Sequence, residues 1–122
     1  MDSSQRDNEE QRRMILTVLH EADGRPLRAK RVRILASENG CSMLWRKFVS
    51  QLRYLSDNEL IVVFDAGRSE PQGPVRKKEY LDLVIQMQFD DAECDRVMVR
   101  IRKLGVQFME GNAPQIVGVA TE

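Results

Sequence analysis

Arg46 and Lys47, with Ser42 and Met43 ahead of them and Ser50 and Arg53 behind, form the stretch of this sequence best suited to act on a partner molecule. Arginine carries five donors in a planar fork that matches the O6 and N7 acceptors of guanine, and both cations neutralise phosphate. The placement of the other basic residues supports the same chemistry. Residues 25–53 hold eight basic side chains (Arg25, Arg28, Lys30, Arg31, Arg33, Arg46, Lys47, Arg53) against one acidic, Glu38, whereas residues 1–24 hold three basic and six acidic. A second basic group, Arg76, Lys77 and Lys78, follows in a Gly/Pro-rich segment. The formal net charge is zero, and this asymmetry is the footprint expected of a small domain that offers one face to a polyanion while the whole stays neutral.

Other chemistries find less support. The single histidine, His20, stands beside Glu21 outside any cluster and suits the C-terminal end of a helix, where a cation favours the dipole. The sequence contains no Gly-rich phosphate loop and no nucleophile elbow. The acidic run Asp90, Asp91, Glu93 and Asp95 misses the EF-hand spacing and reads as a solvated turn. Cys41 and Cys94 lie far apart without a CxxC or a Cys/His cluster, as ordinary reduced thiols do. Neither an enzyme nor a cofactor or metal is expected.

The elements that position these residues follow from periodicity. A first helix is expected from Ser4 or Asp7 to Ala22, burying Met14, Ile15, Val18 and Leu19 and broken by Gly24 and Pro26. A second covers Arg28 to Glu38, with Val32, Leu35 and Ala36 inward, Leu27 packing just ahead of it and Asn39-Gly40 as its stop. Ser42 is placed to cap a third helix, whose apolar stripe is Leu44, Phe48, Leu52 and Leu55, with Met43, Arg46, Lys47, Ser50 and Arg53 on the other side. Trp45 is expected to anchor the junction between helices. Ser56 to Glu59 end that helix without glycine, and Leu60 to Asp65 make a β-branched strand.

Residues 66–78, AGRSEPQGPVRKK, carry two Gly, two Pro and four basic residues and predict a mobile loop, or wing. Leu81, Leu83, Ile85, Met87 and Phe89 alternate with polar residues, and Val97, Val99 and Ile101 alternate in a return strand. An antiparallel hairpin over 79–101 is the leading expectation, and a helix from Glu79 to Gln88 the alternative. A short helix around Arg102 to Glu110 and a tail over 112–122, frayed or lying along another surface, complete the chain.

Two helices joined by a short Gly-containing turn, then a strand and a basic loop, predict an α+β winged helix-turn-helix. It has three N-terminal helices, an antiparallel sheet with an extended wing or extra hairpin, and a short C-terminal helix, in a single domain over 1–122 with residues 1–6 frayed. In that geometry the third helix enters the major groove. Ser42, Met43, Arg46, Lys47 and Ser50 are then the candidates for base or groove contact. Arg28, Lys30, Arg31, Arg53, Arg76, Lys77 and Lys78 are the candidates for phosphate.

Two segments resemble known families. Leu52, Arg53, Tyr54 and Leu55, then Asn58, Glu59, Leu60 and Ile61, resemble the L-x-x-L-x-x-x-G-L-I/V ending of the recognition helix in bacterial winged-helix regulators, with Glu59 in the glycine position. Lys103, Leu104, Gly105, Val106 and Gly111, with Gly118 and Val119, are similar to the closing L-T-x-x-G-x-x-x-x-x-G…G-V of small winged-helix proteins of Mu-like transposable phages. The second resemblance implies that Ala66 to Arg96 is an insertion lengthening the wing.

The expected function is non-enzymatic binding of double-stranded DNA, as a bacterial or phage transcriptional regulator acting as a homodimer. The alternative is a winged-helix protein-interaction module, such as a phage morphogenesis or anti-host factor docking on a host or phage protein, which neutral charge and the acidic hairpin favour. No apolar run approaches the roughly 20 residues a bilayer span needs, and the polar start MDSSQRDNEEQRR lacks a signal-peptide core. No membrane partner and a cytoplasmic location are expected.

Overall fold

Nineteen residues, Ser3–Glu21, form the first helix, α1, in a computed structural model that describes residues 3–65, 97–111 and 118–119. The helix reaches back into the stretch expected to fray. Its core side is Ile15, Leu16, Val18 and Leu19, all buried; Ile15, Val18 and Leu19 lie where expected, while Leu16 takes the inward place expected of Met14, which is only half-buried. Asp23 and Gly24 both take positive φ, at 57° and 79°, and turn the chain out of the helix.

Leu27–Arg28 then form a two-residue strand, β1, which leads without a loop into α2, Ala29–Glu38. The α2 helix closes on Gly40 at φ 87°, with the Cys41 amide donating to the Ala36 carbonyl at 2.9 Å and the Gly40 amide to Ser37 at 3.0 Å. This paired cap satisfies carbonyls that the helix end would leave open.

The third helix, α3, is Trp45–Asp57, and it ends on the same cap built without glycine. The Leu60 amide donates to Leu55 O and the Glu59 amide to Ser56 O, both at 3.0 Å, with Glu59 at φ 62°. Leu55 and Leu60 are fully buried, giving the cap its apolar contact. The turn is therefore tight even though it is a glutamate that occupies the left-handed position.

Strand β2, Ile61–Asp65, pairs antiparallel with β3, Val97–Ile101, in the register Ile61 with Ile101 through Asp65 with Val97. On its other edge β3 takes β1, with Leu27 opposite Val99 and Arg28 opposite Met98. The sheet order is thus β1-β3-β2. Ile61, Val63, Val97, Val99 and Ile101 join the helical core. The last helix, α4, is Lys103–Met109. A Cβ at Gly105 would collide with the Leu60 carbonyl oxygen and lie 2.7 Å from Ile101 Cγ1, so only glycine lets α4 approach so closely. His20, in the last turn of α1, lies 3.7 Å from Glu110 just beyond α4.

The result is an α+β fold with four helices and a three-stranded antiparallel sheet among the described residues. No described helix is long and apolar enough to cross a membrane. The expected loop over 66–78, and the choice between hairpin and helix for 79–96, lie outside the described residues. Within the tail, Gly118 and Val119 pack on the body, with Val119 buried in the core cluster.

Candidate nucleic-acid interface

The exposed side of α3 is a stripe. Arg46, Ser50, Arg53 and Asp57 are exposed and recur at spacings of four, three and four, while Phe48, Val49, Gln51, Leu52 and Leu55 are buried on the opposite side. Lys47 is half-buried beside the stripe. Arg28, Lys30 and Arg31 are exposed where β1 passes into the first turn of α2, so these three cations cluster by chain geometry. None of these six cations forms an ion pair with another described residue. Arg76, Lys77 and Lys78 lie outside the described residues.

Two expectations at the start of α3 are corrected. The helix begins at Trp45, three residues beyond Ser42, so Ser42 does not cap it; the N-cap is Leu44, at φ −63° and ψ 150°, with no side-chain cap bond. The extended backbone there breaks the helical phase. Met43, expected at the groove, is buried at 6% exposure, and Leu44, expected in the core, stands 80% exposed. Ser42 remains exposed, its hydroxyl 3.0 Å from that of Ser37.

Arg33 fixes this corner. It is half-buried, its Nε donates to the Met43 carbonyl at 2.9 Å, and its guanidinium lies 5.6 Å from the Trp45 ring centroid. Trp45 in turn packs against Phe48, ring centroids 5.5 Å apart, which gives it the anchoring place expected. One cation of the basic stretch is thus structural: it ties α2 to the segment that launches α3.

Behind α3 lies a polar cluster that the sequence reading missed. Gln51 is 1% exposed; its Oε1 accepts from Arg12 Nε at 2.6 Å, and its Nε2 donates to Asn8 Oδ1 at 3.0 Å and Gln11 Oε1 at 2.8 Å. Arg12 also donates through Nη1 to the Gly118 carbonyl at 2.9 Å and stacks 3.6 Å from the Tyr54 ring centroid. Burial pulls the Arg12 guanidinium below the ordinary arginine value, against the opposing pull of Tyr54 and Glu9. Gly118, at φ 89°, sits so close that a Cβ would strike the Tyr54 hydroxyl. The cluster joins α1, α3 and the tail, and it fixes which side of α3 is left for solvent. Its one sequence signal is that Gln51 falls between Phe48 and Leu55 at spacings of three and four, a polar residue on the apolar side.

Cys41 is half-buried, and burial, followed by Glu10 and Asp7, pushes its thiol up. No group of three or more His, Cys, Asp or Glu among the described residues is arranged to hold a metal ion. The chain matches no protein-family model, no curated protein and no solved structure at a significant level.

Proposed function

We propose that this chain is a winged helix-turn-helix protein that binds double-stranded DNA, with α3 in the major groove and the start of α2 on the phosphate backbone. Among the described residues the order helix, strand, helix, helix, strand, strand, with the last of these strands central in the sheet, supports that fold assignment. The observation that carries the function is the exposed stripe of Arg46, Ser50 and Arg53, flanked by Lys47 and by Arg28, Lys30 and Arg31, with no described ion partner competing for these cations. Cations without an ion partner among the described residues are available for phosphate and base edges. The role that fits is sequence-specific regulation of transcription by a homodimer.

Zero net charge favours the second reading, a module that docks on a protein. A gel shift at low salt separates the two. On the DNA reading, changing Arg46 and Lys47 to Ala weakens duplex binding sharply while the fold is retained. Equal binding by wild type and the double variant would remove the assignment.

A further inference from the structure

Ile34 and Leu44 are the exposed large apolar side chains among the described residues, at 40% and 80% exposure. Single exposed leucines are common and need no explanation. These two, however, line the same cleft of about 420 Å³ at the joint between α2 and α3, together with Arg33, Ser37, Ser42 and Met43.

The joint is held from behind. The Arg33 bond to the Met43 carbonyl and the contact between the Ser37 and Ser42 hydroxyls keep residues 42–43 against α2. The extended backbone of Leu44 then presents its side chain to solvent directly ahead of the first turn of α3. Among the described residues, Leu44 neither packs in the core cluster nor caps the helix by a side-chain bond.

Its surroundings suit nucleic acid better than an apolar protein surface. Arg46 and Lys47 follow within three positions, Lys30 stands one turn before Ile34 on α2, and no carboxylate occurs between Glu38 and Asp57. An apolar side chain followed along the chain by these cations has a natural partner in the major groove, where the thymine C5-methyl is an apolar group displayed among donors and acceptors.

We infer that Leu44 is a specificity-determining residue that reads thymine through its 5-methyl group, with Ile34 lining the cleft behind it. This rests on the DNA-binding reading and adds to it a base and a side chain outside the basic stripe.

The test begins with the full chain enriching its preferred site from a random pool of 30-bp duplexes. That duplex is resynthesised with deoxyuridine replacing thymine at one position at a time, which removes a methyl group and leaves base pairing intact. At one or two positions the replacement weakens wild-type binding about fourfold, the factor one buried methyl supplies. The same replacement leaves Leu44→Ala unaffected, and the variant folds normally because the side chain is exposed. Arg46→Ala binds more weakly throughout but keeps its sensitivity to the methyl.

Uracil tolerated at every thymine, an equal loss in Leu44→Ala, or an enriched site without thymine overturns the inference while leaving DNA binding in place. Those are also the results expected if the patch serves a protein. Failure of wild type to bind or enrich any duplex removes the DNA reading and this inference with it.

Discussion

Gln51→Ala should destabilise the fold more than any substitution on the outer side of α3, and the size of the loss follows from its bonds. The Arg12 Nε bond is charge-assisted and contributes about 2 kcal/mol; the bonds to Asn8 and Gln11 contribute about 0.5 kcal/mol each, because those partners are half-buried and regain water. Truncation at a site only 1% exposed adds about 1 kcal/mol for the space left behind. The sum is about 4 kcal/mol. For a chain of 122 residues a loss of 1 kcal/mol lowers Tm by about 4 °C, so the expected fall is about 16 °C. Urea unfolding of wild type, Gln51→Ala, Arg12→Ala and the double variant forms a cycle. Since the two residues share one bond, the cycle should return a coupling of about 2 kcal/mol. A coupling within about 0.3 kcal/mol of zero would refute the reasoning, because it would mean that Gln51 and Arg12 act independently.

Three further outcomes follow from single sites. Glu59→Gly should stabilise the chain by about 1 kcal/mol in urea unfolding, since a left-handed conformation at φ 62° strains a side-chain-bearing residue and suits glycine; a loss of stability would contradict the cap described at the end of α3. Gly105→Ala should cost about 1–3 kcal/mol by overpacking α4 against Leu60 and Ile101, whereas unchanged Tm would contradict the close approach. Cys41, its thiol pushed up, should alkylate more slowly near neutral pH than a free cysteine does, as followed by peptide mass spectrometry. The folded state holds this proton more tightly than the unfolded chain. The Cys41 contribution to stability is therefore fully present below the unfolded thiol pKa and is lost as pH rises through the folded one.

What the sequence disclosed, and what it hid, divides along the range of the forces involved. Helices and the two longer strands were legible because Phe48, Leu52 and Leu55, or Val97, Val99 and Ile101, repeat at the period of their element. The exposed places of Arg46, Ser50 and Arg53 follow from the same period. Extending the helical phase backward over residues that are not helical gives Met43 and Leu44 each other's environments. Strand β1 spans two residues, too few for alternation to register, and exists because β3 offers an open edge. Gln51 finds Arg12 from 39 positions away, and Arg12 finds Gly118 from 106, pairings to which local pattern is blind. Glu59 conceals a tight turn because its strain is offset by two backbone bonds and the burial of Leu60, none of which its residue type signals.

The central claim is that the cationic side of α3 and the start of α2 meet the phosphates of duplex DNA, and the salt dependence of binding tests it most directly. Arg28, Lys30, Arg31 and Arg53, each neutralising one phosphate, give a slope of log affinity against log salt of about −4, steeper if Arg76, Lys77 and Lys78 take part. Raising salt from about 50 to about 200 mM should then weaken binding at least a hundredfold, and replacing Arg53 by Ala should reduce the slope by about one. Affinity that hardly changes over that range, or no duplex binding at the lower salt, would contradict the account.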